Sequence, residues 1–334
     1  MTAATSHIPV MLTEVVDALG LRDGGLYVDA TFGAGGYARA ILGAAETRLI
    51  GIDRDPRARK PAEAVRACYP GRFIFAQGRF GDLDAILEQM SAEEVAGIVF
   101  DLGVSSMQID QPARGFSFRA DGPLDMRMGE DGPSAADVVA RLDARALAAI
   151  FRVYGEERHA RRAAEAIVAA QAEEPITTTA RLAQIVERAV GPGDGRIHPA
   201  TRVFQALRIY VNAELTEIER ALYAAEQRLA PGGRLVVVSF HSLEDRIVKQ
   251  FLRARSGRAP QGSRHAPAPA ETAPPSFREI HATPLRPAAA ETEENPRARS
   301  AKLRAAVRTD AAPMALGPAL APDPGAPDLE ETSR

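Results

Sequence analysis

Among 334 residues there is one cysteine, Cys68, which excludes an internal disulfide and any metal site built from several thiolates, so no metal is expected. A reducing cytoplasm fits that economy. No stretch approaches the roughly 18 consecutive apolar residues of a membrane span, and Met1 to Pro9 lacks a basic and apolar leader, so neither insertion nor export is expected. An overall charge excess is missing as well, since 41 basic residues face 44 acidic ones for a net charge of -3. From Ala311 onward Asp323, Asp328, Glu330 and Glu331 stand against Arg334, so the tail carries that whole excess. Basic residues nevertheless cluster at Arg152 to Arg162, Arg253 to Arg264 and Arg297 to Arg308, and such local patches on a neutral domain can hold phosphates.

What is present is a soluble, globular composition, 46% hydrophobic and 25% charged, in a chain long enough for about two domains. Leu26, Val28 and Ala30 suit a buried parallel strand. Glycines follow at 33, 35 and 36, where the backbone can turn sharply and approach a ligand. Such a turn at a helix start is a natural nucleotide cradle. Gly33-x-Gly35-x-x-Ala38 also fits the dinucleotide pattern, with Asp53 twenty residues on, closing the apolar run Leu49 to Ile52, in place for a ribose hydroxyl. The glycines alone leave a nicotinamide cofactor and other nucleotides open.

The alternation continues as α/β. Leu49 to Ile52 reads as a strand, Pro56 to Ala67 as a helix, Phe73 to Ala76 as a strand, Gly81 to Met90 as a helix, and Ile98 to Phe100 as a strand ending at Asp101. A parallel sheet with right-handed crossovers follows. From about Gly103 to Leu215 the alternation stops. Gln111 to Gly132 reads as a long ordered loop, and helices are expected at Ala144 to Phe151, Glu156 to Ala172 and Thr179 to Val190. A helix from Pro199 carries Val203, Leu207, Val211, Leu215, Ile218 and Leu222 as one core stripe. Arg202, Gln205, Arg208 and Asn212 fall on another face, for phosphate contact or for solvent. Leu235 to Phe240 resumes the sheet, and Ser242 with Asp245 suits a capping box. Ser256 to Ser276 is expected to be mobile, Phe277 to Thr283 and Ala301 to Arg308 to be strands, and the tail beyond Thr309 to be disordered.

Ten blocks of sequence, in order, narrow the reading. They are Asp29-Ala-Thr-Phe-Gly-Ala-Gly-Gly36, Asp53-Arg-Asp-Pro56, Asp101-Leu-Gly-Val-Ser-Ser106, Arg114-Gly-Phe-Ser-Phe118, Gly122-Pro-Leu-Asp-Met-Arg-Met128, Tyr154-Gly-Glu-Glu-Arg158, His198-Pro-Ala-Thr-Arg202, Phe204-Gln-Ala-Leu-Arg208, Phe240-His-Ser-Leu-Glu-Asp-Arg246 and Asn295-Pro-Arg-Ala-Arg-Ser300. Together they resemble the ribosomal RNA small subunit methyltransferase H family, from about His7 to Thr309. The resemblance implies a class I S-adenosylmethionine-dependent methyltransferase sheet (Rossmann-like, α/β) with an inserted helical domain. The expected division is 1–104 and 216–310 for the sheet domain, 105–215 for the RNA-recognition insert and 311–334 for the tail. The implied reaction moves a methyl group to the N4 amine of a cytidine in the decoding region of 16S rRNA, in the cytoplasm. The partners implied are that RNA or the small ribosomal subunit and no membrane; a homodimer is left open.

Carried over by position, Gly35, Gly36 and Tyr37 line the methionine side of S-adenosylmethionine, Asp53 the ribose, and Phe80 the adenine, with Asp101 and Gln108 completing the set. The family commonly has His where this chain has Tyr37. The cytosine amine is a poor nucleophile, so a residue must align it and accept a proton. Asp101 or Asp125 is the expected acceptor, with His241 and Ser242 shaping the site; Glu244 and Asp245 are further acids there. Asp101 is followed by Leu102 and Gly103, which departs from the motif of DNA amino methyltransferases, so a stacking aromatic must come from elsewhere, such as Phe116 or Phe118. Arg114, Arg127, Arg158, Arg202 and Arg208 are the expected RNA contacts. The rival of another class is a non-catalytic RNA-binding or assembly protein on the same fold.

Overall fold

A computed structural model describes residues 9–191, 197–258, 273–327 and 329. Seven strands form one sheet: β1 (Leu26–Asp29), β2 (Arg48–Asp53), β3 (Phe73–Gln77), β4 (Val95–Asp101), β5 (Leu229–Ser239), β6 (Phe277–Glu279) and β7 (Lys302–Arg308). Their order is β3-β2-β1-β4-β5-β7-β6. The strands β1 to β5 are mutually parallel, and β7 runs antiparallel between β5 and β6. Helices join the parallel strands, because a parallel neighbour can be reached only by a crossover. This doubly wound sheet with one reversed strand is the class I methyltransferase arrangement that the resemblance implied. The chain steps outward from β1 to β2 and β3, then returns to the other side of β1 for β4. Ligands of open α/β sheets bind at such a reversal, outside the carboxyl ends of the strands.

The chain divides into two compact units, 1–103 with 216–320, and 104–215 with 321–334. The first holds the sheet, whose core includes Tyr27, Ile41, Leu49, Val99, Val236 and Val238. The second is helical, with Leu147, Phe151, Ala163, Leu182, Val203 and Leu207 among its buried residues. Among the described residues no helix is long and apolar enough to cross a membrane.

Three local expectations need correction. The long helix from Pro199 is two, Thr201–Asn212 and Glu214–Arg228, broken at Ala213, which sits in the left-handed region at φ 51°. The 3.6-residue pattern runs through the break because no glycine or proline marks it. Next, the helix after β5 is capped one residue early: His241 is its N-cap and Glu244, not Asp245, closes the capping box. Asp245 instead receives Lys302 Nζ at 2.9 Å and Arg304 Nε at 2.7 Å from β7. Finally, the segment 311–327 is anchored rather than disordered. The Met314 amide donates to Glu226 (3.0 Å), the Leu320 amide donates to Glu219 (2.9 Å), and the Pro327 carbonyl accepts from the Tyr210 hydroxyl. Buried Glu226 is a ready anchor, since it also receives Arg255 Nε and Ser276 Oγ at 2.6 Å. Alanine and proline composition does not reveal such partners. The expectations for 259–272 and for the last acidic residues, Asp328, Glu330 and Glu331, lie outside the described residues.

Candidate active site

Three parallel strands of the sheet unit end in aspartate: β1 in Asp29, β2 in Asp53 and β4 in Asp101. An apolar strand pulls its last residue to the edge of the core, so each carboxylate begins life desolvated. Asp29 is 1% exposed; burial, reinforced by the nearby Asp53 charge, pushes its carboxyl up to about 7. Its Oδ1 accepts the Thr31 amide at 3.3 Å, whereas Oδ2 has no hydrogen-bond partner among the described residues. Asp53 is also raised by burial, to about 6. Two backbone amides hold it, Gly33 to Oδ2 at 2.7 Å and Asp55 to Oδ1 at 2.8 Å. Asp101 keeps some exposure, but its Oδ1 is enclosed and likewise has no hydrogen-bond partner among the described residues. Burial pushes its carboxyl well above the ordinary range, and the charges of Asp29 and Glu244 push in the same direction. The Thr31 hydroxyl accepts the Asp101 amide at 2.6 Å and so ties β4 to the turn after β1.

The glycine turn sits over this edge. Gly35, at φ 77°, is the N-cap of the helix Gly36–Ala44, and a Cβ there would lie 2.7 Å from the Phe32 ring. A Cβ on Gly36 would lie 2.2 Å from Pro9 Cγ. No N-cap side chain bonds this helix start, and the Ala38 amide turns to Asp29, which leaves the amides of Gly36 and Tyr37 for a ligand. Tyr37 turns inward: it is 3% exposed and its hydroxyl donates to the Val10 carbonyl. Phe80 begins the short turn after β3 and meets Phe100 edge-on, with ring centroids 6.0 Å apart. Glu217 fixes that turn by accepting the Gly81 amide at 2.9 Å. At the end of β5, Glu244 is fully buried and accepts the amides of Phe240 (2.7 Å) and His241 (3.1 Å). His241 Nδ1 accepts the Glu244 amide at 3.5 Å, and its Nε2 lies 3.1 Å from Glu244 Oε1. Both ring nitrogens of His241 therefore face Glu244.

The sheet unit thus brings Gly35, Gly36, Tyr37, Asp53, Phe80, Asp101 and His241 to the carboxyl side of its strands. Asp29, Thr31 and Glu217 belong with them and were missed. The signal for Asp29 was legible, because it closes an apolar run as Asp53 and Asp101 do.

Gln108 and Asp125 lie in the helical unit. Gln108 is buried, and its Oε1 accepts the Ser105 amide at 3.0 Å. Asp125 forms a two-pronged pair with Arg127, Nε to Oδ1 at 2.8 Å and Nη2 to Oδ2 at 2.9 Å. Burial would raise its carboxyl, but the Arg127 bonds outweigh that and hold it below the usual range. Arg127 also donates to the carbonyls of Glu130 and Gly132. Arg114 is buried against Phe116 and donates to the carbonyls of Arg127 and Met128. Arg208 pairs with Glu214 through two bonds of 2.8 and 2.9 Å. Arg158 is exposed and Arg202 half-buried, the latter donating to the Glu156 carbonyl. The polar face of the helix Thr201–Asn212 therefore binds its own chain. Asn212, 1% exposed, completes it by accepting the Met128 amide and donating to the Met126 and Arg208 carbonyls at 2.8 to 2.9 Å.

A sheet edge lined with desolvated acids, an open helix start and an aromatic ring suits a nucleoside that carries positive charge and hydrogen-bond donors. Asp29 Oδ2 and Asp101 Oδ1 supply acceptors that nothing among the described residues engages.

Comparison with known proteins agrees with that chemistry. Residues 4–309 match the MraW methylase family. The chain is 56% identical over 315 residues to a protein of Maricaulis maris named ribosomal RNA small subunit methyltransferase H, covering 94% of each. It is 57% identical over 312 residues to a protein of that name from Methylorubrum extorquens, covering 92% of this chain and 88% of the other. A crystal structure of an rRNA methylase from Streptococcus thermophilus shares 12% identity at a TM-score of 0.39, covering 91% of this chain and all of that one. The strand order, rather than that distant likeness, establishes the fold.

Proposed function

The chain belongs to the MraW methylase family, and from that premise we propose that it methylates the N4 amine of a cytidine in the decoding region of 16S rRNA. It is a methyltransferase acting on ribosomal RNA, and S-adenosylmethionine is its methyl donor. The observation that carries the finer reading is the enclosed, unpartnered Oδ1 of Asp101 at the end of β4. An exocyclic amine brings two N–H donors and must lose a proton as its nitrogen is alkylated. A desolvated carboxylate at the strand end is suited to align that amine and accept that proton.

When bound, S-adenosylmethionine supplies an electrophilic methyl group on a positively charged sulfur. The acids at the ends of β1, β2 and β4 fit that charge. Asp53 can accept the two ribose hydroxyls, because each oxygen that takes one backbone amide retains a further lone pair. Phe80 covers the adenine, and Gly36 offers its amide to the carboxylate end, while Gly35, whose amide donates to the Phe32 carbonyl at 2.7 Å, makes the turn. Tyr37 contributes through its backbone, since its hydroxyl is engaged by Val10. His241, with both nitrogens turned to Glu244, shapes the corner rather than moving a proton. Asp125, already neutralised by Arg127, yields the acceptor role to Asp101. Arg158 and Arg202 are the RNA contacts; Arg114, Arg127 and Arg208 brace the helical unit. An rRNA substrate puts this work in the cytoplasm.

The test is nucleoside mass spectrometry of 16S rRNA after unmodified small subunits are incubated with the protein and labelled S-adenosylmethionine. One N4-methylcytidine in the decoding region is expected. Label on another base, or on no base, overturns the reading.

A further inference from the structure

Within the sheet unit, Pro9, Val10 and Met11 are each fastened by a different contact, and two of the three contacts fall on the helix that the glycine turn opens. Pro9 lies so close to Gly36 that a Cβ there would fall 2.2 Å from the proline Cγ. The Val10 carbonyl accepts the hydroxyl of buried Tyr37. The Met11 amide donates to Glu291 Oε1 at 2.7 Å. Glu291 belongs to the short helix Ala289–Glu294 between β6 and β7, 280 residues further along the chain. A bond from an amide to a carboxylate is among the stronger hydrogen bonds of a protein.

The backbone of this segment is strained where the carboxylate holds it. Met11, 1% exposed, sits in the left-handed region at φ 53° and ψ 38°, as the N-cap of the helix Leu12–Leu19, and its side chain makes no cap bond. A residue with a side chain enters that region at a cost, and it stays there where its surroundings fix it, as at ligand clamps. The helix beyond is anchored separately, through buried Val15, Ala18 and Leu19. We propose that Glu291 is a positioning residue for the methyl donor: together with Tyr37 it fastens Pro9–Met11 against the glycine turn and so slows release of the donor. This rests on the reading, given above, that Gly36 and the Tyr37 backbone meet the donor's carboxylate end. Glu291 acts through Met11 and not by touching the donor. The fastened segment bears on Gly36 and Tyr37 themselves, so loosening it costs their amides the preorganisation that makes binding tight. Asp101 ends a different strand, and methyl transfer from a bound donor does not need the fastening.

The experiment chases labelled S-adenosylmethionine from the full-length protein with excess unlabelled donor, and pairs each release rate with the single-turnover rate of methyl transfer to small subunits at saturating donor. Glu291→Ala should release the donor about tenfold faster, the scale of one lost charge-assisted hydrogen bond, and transfer the methyl group at the wild-type rate once saturated. Glu291→Gln keeps an acceptor for the Met11 amide and should release the donor at close to the wild-type rate. Tyr37→Phe keeps the ring and loses the hydroxyl, so its release should also be faster. Wild-type release from folded Glu291→Ala, release from Glu291→Gln as fast as from Glu291→Ala, or wild-type release from Tyr37→Phe overturns the proposal. Should Glu291→Ala fail to fold, Tyr37→Phe decides. An Asp53→Ala enzyme with wild-type affinity for S-adenosylmethionine would instead remove the placement of the donor on which the proposal rests.

Discussion

The helical unit and the strand ends of the sheet unit treat buried charge in opposite ways. In the helical unit the buried and half-buried acids and arginines of the motif blocks have close partners: Asp125 with Arg127, Glu214 with Arg208, and Arg114 with two carbonyls. In the sheet unit Asp29 and Asp101 end their strands with an oxygen that no described residue engages. Partnered charge holds a fold together, whereas desolvated charge without a partner costs stability and persists where a ligand or a reaction uses it. The difference sorts the residues better than residue type does, since both units offer an aspartate beside motif sequence.

The largest expected effect lies at Asp101. Asp101→Asn should lower the single-turnover rate by about 10²- to 10⁴-fold, the usual contribution of a positioned acid or base. Asp125→Asn should reduce the rate far less, because its carboxylate is committed to Arg127. Rates measured with saturating S-adenosylmethionine separate the two, and equal losses would break the contrast between the units.

The next effect has an unusual sign. The Asp29 carboxyl is raised to about 7 from 3.8, so the folded chain holds that proton more tightly than the unfolded chain does. Its contribution to stability is therefore complete below about pH 4, is lost as pH rises from about 4 to 7, and stays lost above. Asp29→Asn should stabilise the ligand-free protein at pH 8 by up to roughly 4 kcal/mol and change little at pH 4. Thermal melts at both pH values check this. A destabilised variant at pH 8 would mean that Asp29 is paired after all.

In the helical unit the same kind of change should act the other way. Asn212→Ala removes two hydrogen bonds from the loop that carries Met126 and Met128 and one to the Arg208 carbonyl of its own helix. It leaves the buried Met126 carbonyl and Met128 amide unmet, and should cost about 2 to 4 kcal/mol at every pH. Denaturant titrations at pH 5 and 8 give that number, and dependence on pH would count against a purely structural role.

Much of this was legible in the sequence, and unequally. The sheet followed from apolar runs that end in acids, because burial of a parallel strand needs an unbroken apolar segment and leaves its polar terminus at the ligand side. Asp53 and Asp101 were singled out in that way, and Asp29, which obeys the same rule, was passed over. The break at Ala213 was hidden, since a left-handed alanine leaves no compositional mark. Partner choice was hidden too. Arg202, Gln205, Arg208 and Asn212 share one polar face by periodicity, but spacing does not say whether that face meets water, RNA or the chain's own carbonyls. The anchored segment 311–327 escaped for the same reason: the partners Glu226 and Glu219 are about a hundred residues away in sequence.

The smallest effect tests the arginines that this sorting leaves for RNA. Arg158 is exposed, and Arg202 offers its guanidinium to one carbonyl at the surface. A single-stranded phosphate contact contributes a slope of about -0.7 in log affinity against log salt. Arg158→Gln and Arg202→Gln should each flatten the slope for 16S rRNA binding by about that amount and leave the melting temperature nearly unchanged. Arg208→Gln should show the reverse pattern, an unaltered slope with a lower melting temperature, because it strands buried Glu214 without its cation. Binding measured by filter retention between 50 and 200 mM salt resolves slopes of this size. If Arg208→Gln flattened the slope as the other two do, buried and surface arginines would be equivalent toward RNA, and the distinction between bracing and binding charge would fail in the unit where it was drawn.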